Sequence, residues 1–420
     1  MPPGRRSARA SHDAALAEGG SARIAWADRQ MPVLRAIRER FAAERPLAGL
    51  RVAACLHVTA ETANLVRALR EAGAAVSLCA ANPLSTQDDV AAALVAEHGA
   101  EVHGERGEDR AAYLRNLETL IAGGPQILID DGAELIVTAH TAGLAPSLTG
   151  ATEETTTGLV RLRAMAAEGA LACQVLAVNE TLTERVFNDR YGTGQSVLDG
   201  LLRATNLLFA GRSVVVLGYG SAGRGVAARA RGAGAGVTVC EVDPVRALEA
   251  RMEGYGVMGS LEAAGIGEVF ITVTGAPGVL RREHFERMGD GAVLANAGHF
   301  DVEISLEDLA ALASGPPRPV LPLVDEYELA DGRRLNLVTK GRVVNLAAAA
   351  GHPAAVMDLS FASQALCVAH IAGAGGGHEP GVVLPPVALD HEVARLKLAS
   401  LGVEIDVLSA AQERYLRPFR

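Results

Sequence analysis

Six residues, Gly218-Tyr219-Gly220-Ser221-Ala222-Gly223, spell G-x-G-x-x-G directly after the β-branched run SVVVL and open a helical stretch. The first glycine permits a tight turn and the second lets backbone approach a pyrophosphate. The third, Gly223, lets helix pack on strand, so the helix N-terminus faces the phosphates. The next strand ends at Glu241, about 20 residues on, where an acid holds the ribose 2′-OH of NAD and repels a 2′-phosphate. Arg246 nearby points the other way, toward NADP. The balance favours NAD. A second group of polar residues, His57, Thr59, Asn82, Ser85, Asp130 and Asp131, follows the ends of apolar runs, the position at which ligands of parallel sheets sit.

The elements that must position these residues alternate. Between residues 50 and 150, LRVAACLHV (50–58), AAVSLCA (74–80) and PQILIDDG (125–132) read as buried strands. ETANLVRALREAG (61–73) and DDVAAALVAEHG read as helices between them, which implies βαβ units and a parallel sheet. A second unit begins near residue 195, with further strands expected at 269–275, 292–298 and 342–347. After Gly351 the chain turns helical, crosses a Gly- and Pro-rich stretch and ends in a charged helix. The fold class expected is α/β, two doubly wound parallel-sheet domains with a C-terminal helical tail. The division expected is a disordered leader (1–20), a substrate-binding domain (21–192), a Rossmann NAD domain (193–352), a return to the first domain (353–390) and a dimerisation tail (391–420).

Composition narrows the classes. The chain has 420 residues, 39 basic against 49 acidic, for a net charge of −10. That balance, with 4% aromatics, argues against binding a nucleic-acid polymer. The apolar runs read from the sequence fall short of the roughly 18 residues that span a membrane, and the basic start leads into no apolar signal core. Five cysteines with no C-x-x-C suit reduced thiols and a cytoplasmic setting. Eleven histidines without H-E-x-x-H or a Cys/His cluster make a metal site an unfavoured expectation.

The motifs LHVTAETANL (56–65), NPLSTQDD (82–89), IDDGAEL (129–135), EETTTG (153–158) and RYGTGQS (190–196) resemble those of the S-adenosylhomocysteine hydrolase family. So do GYGSAGRG (218–225), NAGHFDVEI (296–304) and VVNLAAAAGHPAAVM (343–357), in order from about residue 22 onward. The resemblance implies a tightly held, recycled NAD: the nucleoside 3′-OH is oxidised, the 5′ substituent eliminated, water added and the ketone reduced. It implies that Glu154 holds ribose hydroxyls, that His57 and Asp131 serve acid and base steps, and that His299 and His352 line the site. Thr59 and Glu61 would lie near the base, with Ser85 and Gln87 also on the substrate side. Thr155, Thr156, Thr157, Asp189, Gly218, Gly220, Ser221, Ala222, Gly223, Glu241, Arg246, Thr274, Asn296, Ala297, Gly298 and Asn345 would hold NAD. A purine nucleoside and a homo-oligomer, dimer or tetramer, are the partners implied.

One segment departs from that pattern. The family reads T-K-x-x-F-D-N-x-Y-G where this chain has Thr183-Glu184-Arg185-Val186-Phe187-Asn188-Asp189-Arg190-Tyr191-Gly192. A lysine–aspartate pair becomes Glu184 and Asn188, which, still placed among the catalytic residues, implies altered chemistry. The reading favoured is elimination without return of water, a dehydratase acting on another purine nucleoside in antibiotic biosynthesis. Its alternatives are ordinary hydrolysis of S-adenosylhomocysteine and an inactive NAD-binding regulatory paralogue. The tail ends RYLRPFR, in which only Arg420 could stand in for the lysine that long-tailed members lay over a neighbour's NAD.

Overall fold

The computed structural model describes residues 3–375 and 379–416. The chain builds two sheets in succession. The first holds β1 (Arg51–Cys55), β2 (Ala75–Cys79), β3 (Glu101–His103), β4 (Ile127–Asp130), β5 (Gly150–Glu153) and β6 (Gln174–Ala177). The second holds β7 (Ser213–Leu217), β8 (Gly236–Cys240), β9 (Gly256–Val257), β10 (Val269–Thr272), β11 (Ala292–Asn296), β12 (Arg318–Leu321), β13 (Val324–Glu328) and β14 (Arg334–Val338). A last strand, β15 (Gly381–Val383), returns to the first sheet beside β6.

Strand order is β15-β6-β5-β4-β1-β2-β3 in the first sheet and β12-β13-β14-β11-β10-β7-β8-β9 in the second. Every pairing in the first is parallel, and the second is parallel from β9 to β14. The order therefore reverses between β1 and β4, and again between β7 and β10. A crevice opens beyond the carboxyl ends at each reversal. The central strands are short and apolar because both faces are covered by helices: β4 and β11 are buried along their whole length.

Three local expectations change. The strand expected at 342–347 is a helical turn, Val344–Ala347, because β14 takes the place beside β11 and leaves Val343 a single bridge to Asn296. The hairpin strands β12 and β13, with β14, were not among the expected elements. They close the edge antiparallel. The leader expected over 1–20 is helical from Pro3 to Arg29, and Ala17, Ile24 and Ala27 are already buried. Arg420 lies outside the described residues. Ser400 ends the helix that begins at Val387, and residues 401–416 are exposed.

The segment between the sheets positions the site. Glu184–Gly192 forms a wide helical turn whose pitch is still visible where the Thr193 N–H reaches the Asn188 carbonyl, five residues back. The helix Ser221–Gly232 presses on it so closely that a Cβ on Gly225 would sit 1.8 Å from the Arg190 carbonyl oxygen. The helix Ala354–Ala374 then runs back through the first domain. It is the one helix among the described residues long and apolar enough to cross a membrane, and 72% of that stretch is buried within the protein. Its Asp358 accepts from Leu34 N at 2.9 Å and from Lys397 at 2.9 Å, which fixes its register against two other helices.

Alanine in place of glycine inside a helix ordinarily stabilises by about 1 kcal/mol. Gly225→Ala should reverse that sign, costing roughly 1–3 kcal/mol through overpacking. Urea unfolding of the variant against the parent measures it.

Candidate active site

The carboxyl ends of both sheets open on one cavity of about 1100 Å³, larger than a single small ligand needs. His57 enters just past β1. Ser85 gives its own proton to the Asn82 carbonyl at 2.9 Å, so the 2.8 Å contact between His57 Nδ1 and Ser85 Oγ must be Nδ1–H donating. That leaves Nε2 facing Asp131 Oδ2 at 3.4 Å, an ion pair whenever the ring takes up a proton. Burial holds the His57 pKa below its ordinary value, Asp131 partly offsets this, and His299 adds to it. The pair is equipped to give or take one proton.

Asp131 lies in a turn that Glu153 holds. Gly132 N, Ala133 N and Thr155 N donate to the Glu153 carboxyl at 2.9, 3.0 and 2.9 Å, and Thr155 Oγ1 donates at 2.7 Å. Glu153 thereby ties the end of β4 to the threonine run Thr155, Thr156 and Thr157. Glu154, the next residue, points into the cavity and accepts from Ser360 Oγ and Gln364 Nε2 of the core helix. Burial pushes Glu154 up to about 7, with the two donors opposing and Asp131 and Asp189 adding to the rise. Asp189 is likewise pushed up to about 7, by burial against the pull of Arg185.

The glycine turn supplies the other wall. Gly218 sits at φ 110°, and a Cβ on Gly223 would lie 2.1 Å from the Gly218 carbonyl oxygen, so both must lack a side chain. Glu241 Oε2 accepts from Tyr219 N at 2.6 Å, and its Oε1 accepts from Val242 N and Asp243 N at 2.7 and 3.0 Å. The acid is thus locked to the turn it serves. Arg246 hangs over Gly220, half-exposed, 3.9 Å from Asp243. On the opposite wall Thr157 Oγ1 and Asn345 Oδ1 are buried without a protein partner, as expected of groups waiting on a polar ligand. Together with the glycine cradle they fit a dinucleotide.

Most expected residues line this cavity: His57, Thr59, Glu61, Asp131, Glu154, Thr155 to Thr157, Asn188, Asp189, His299 and His352. Gly218, Gly220, Ser221, Ala222, Glu241, Arg246, Thr274, Ala297, Gly298 and Asn345 do so as well. Five do not. Ser85 stands behind His57, and Gly223 packs under the turn. Gln87 faces a smaller cavity beside Glu61. Glu184, fully buried, lies behind Asn188, whose Nδ2 donates to it at 2.6 Å. Asn296 donates to the carbonyls of Gly298, Phe300 and Gly341 and accepts from Gly298 N at 2.8 Å. It shapes the loop carrying His299 and does not face the cavity.

Several working residues escaped the sequence reading. Glu153 and Glu303 clamp loops from behind, the latter through Thr274 N at 2.9 Å and Gly275 N at 2.7 Å. Asn179 accepts from Thr156 Oγ1 at 2.8 Å. Ser360 and Gln364, one helical turn apart in an apolar stretch, carried the one available signal: buried polar residues on one face.

A family model described as S-adenosyl-L-homocysteine hydrolase matches residues 10–145, and one described as its NAD binding domain matches 189–351. The adenosylhomocysteinase of Aquifex aeolicus is 55% identical over 406 residues, 96% of this chain and 97% of that protein. That of Thermococcus kodakarensis is 53% identical over 406 residues, 96% of each. That of Aeropyrum pernix is 53% identical over 410 residues, 97% of this chain and 98% of that protein. These relatives overturn the dehydratase expectation drawn from Glu184 and Asn188. The similarity runs through both domains at a level that favours the ordinary hydrolase, the alternative to that reading. Glu184 also stands outside the cavity, so its type does not report directly on what binds there.

Ser85→Ala removes the acceptor that fixes the His57 ring, together with one bond to the Asn82 carbonyl. It should change stability by no more than about 1 kcal/mol and lower kcat by roughly tenfold or more. Urea midpoints beside steady-state kinetics separate the two effects.

Proposed function

This chain belongs to the S-adenosyl-L-homocysteine hydrolase family, and from that premise we propose that it cleaves S-adenosylhomocysteine to adenosine and homocysteine. The observation that carries the reading is the meeting, in one cavity, of the His57–Asp131 pair and Glu154 with the glycine turn of an NAD domain. NAD is the cofactor. Gly218, Gly220, Ser221 and Ala222 would hold its phosphates, Glu241 its ribose, and Thr157 and Asn345 the remainder. When bound, it supplies reversible removal of hydrogen and two electrons from the sugar.

The chain's own residues do the rest. Glu154, ionised, takes the 3′-hydroxyl proton as the C3′–H bond breaks, which leaves a ketone and an acidic C4′–H. The His57–Asp131 pair takes the C4′ proton and protonates the sulfur as its bond to C5′ breaks. Water then adds at C5′, and the first step runs in reverse. His299, on a loop held by Asn296, and His352, pushed down to about 4 by burial and so uncharged, close the site against solvent while the ketone exists. Cytoplasmic residence is supported by five buried free thiols. A homo-oligomer is supported by the exposed Leu401, Ile405, Val407, Tyr415 and Leu416 of the tail.

Purified protein should carry about one dinucleotide per chain and release homocysteine from S-adenosylhomocysteine with no net NADH. Net NADH would mark an ordinary dehydrogenase, and absence of turnover would sink the proposal. Because Glu154 must be ionised to accept a proton, kcat should rise as pH increases through about 7. Asp131→Asn should lower kcat by roughly 10²–10⁴.

A further inference from the structure

Glu184 has no exposed surface, yet it carries a carboxyl whose Oε1 has no hydrogen-bond partner. Its other oxygen accepts from Asn188 Nδ2 at 2.6 Å. The same Asn188 nitrogen lies 3.4 Å from Ser360 Oγ, and Ser360 spends its hydroxyl proton on Glu154. Asn188 therefore stands between the Glu184 carboxyl and the serine that serves Glu154. The direct partners of both are uncharged: Asn188 for Glu184, Ser360 and Gln364 for Glu154. The charges facing the pair are acidic, Asp189 toward both and Asp131 toward Glu154, with the Cys367 thiol behind it. Arg185 draws on Asp189 and makes its ion pair with Glu180. Two anions cannot share such a place without a cation between them.

The supply of donors settles where the proton goes. Glu154 receives the Ser360 hydroxyl hydrogen and the Gln364 amide, whereas Glu184 receives Asn188 Nδ2 on one oxygen and nothing on the other. Glu184 is therefore the less able of the two to stay an anion. We propose that Glu184 and Glu154 hold a single proton between them, with Glu184 the neutral acid and Glu154 the ionised acceptor that faces the cavity. Glu184 is then a positioning residue: it touches no substrate and sets the charge of the group that does. Burial and the nearness of Glu154 both push the Glu184 carboxyl well above its ordinary range, in agreement with that assignment.

The catalytic consequence rests on the proposed hydrolase reading. As the substrate hydroxyl becomes a ketone, its O–H bond breaks and the proton goes to Glu154. The C–H bonding electrons leave with their hydrogen to the dinucleotide the reading supplies. The carboxyl pair passes from one negative charge to none. On reduction the proton returns from Glu154 to the oxygen, and the pair regains its charge. Had both carboxyls been ionised at the outset, the pair would have held two like charges beside a forming alkoxide.

The primary test is independent of activity. An acid held protonated in the folded protein but ionised in the unfolded chain makes folding weaker as pH rises from its unfolded value toward its folded one. Glu184→Gln keeps the shape and an acceptor for Asn188 but cannot ionise. Its folding constant relative to the parent holoenzyme should therefore grow about tenfold per pH unit between pH 5 and pH 8, read from urea midpoints. A ratio that stays flat overturns the proposal. The parent holoenzyme should also show the infrared carbonyl band of a buried protonated acid at pH 8, a reading that needs no variant to fold. Absence of that band overturns the proposal too. Ser360→Ala removes a donor to Glu154 and should move the acid limb of kcat upward by about one pH unit. An unmoved limb would make Ser360 merely structural and break the link. A parent that releases no homocysteine defeats the hydrolase reading and leaves the stability and infrared results standing. Turnover combined with a flat stability ratio defeats only the shared proton.

Discussion

Backbone meets backbone where the helix after the glycine turn presses on the wide turn Glu184–Gly192, with Gly225 against the Arg190 carbonyl. Gly194, whose Cβ would stand 2.6 Å from the Gly225 carbonyl carbon, completes the contact. No side chain larger than hydrogen fits on either side, so the two domains approach as closely as peptide groups allow. Everything chemical follows from that closeness. It sets the carboxyl ends of two doubly wound sheets opposite each other, and the crevices that each sheet would have alone merge into one cavity.

Once merged, the cavity works through loss of water. Burial is the leading cause of every resolved shift at its centre: Glu154 and Asp189 rise to about 7, His57 falls and His352 falls to about 4. A carboxyl near 7 and an uncharged imidazole are groups that exchange protons at little energetic cost near neutrality. The same dehydration would be ruinous for loops without partners, and two acids answer it. Glu153 gathers the ends of β4 and β5, and Glu303 gathers the end of β10. Each trades one buried carboxyl for several backbone N–H groups that would otherwise be unpaired.

Much of this was legible in the sequence because it is local. The glycine turn, the strand before it and the acid ending the next strand lie within thirty residues of one another, and their spacing is dictated by one turn's geometry. The strand-end residues His57 and Asp131 were legible for a similar reason, since alternation of apolar runs fixes where strands stop. The clamps were not. Glu153 looks like half of an acidic pair, and nothing adjacent says that it turns inward to three N–H groups while Glu154 turns to the core helix. Asn296 and Gly223 were placed on the ligand because a motif marks its neighbourhood and does not distinguish the face from its support. The segment 342–347 failed as a strand because β14, which the sequence reading had not marked, occupies the place beside β11.

Residue order alone determined the α/β class, the two-sheet division, NAD and the family, each through periodicity or short-range spacing. Tertiary structure decided which acid confronts which. Glu184 and Glu154 stand thirty residues apart and come together only because the core helix seats Ser360, 206 residues beyond Glu154, against both Glu154 and the Asn188 that serves Glu184. In sequence, Glu184 with Asn188 reads as a changed catalyst. In three dimensions Glu184 is a buried group behind the cavity wall, and its meaning comes from its full burial with an uncharged amide, and no cation among the described residues, as its partner.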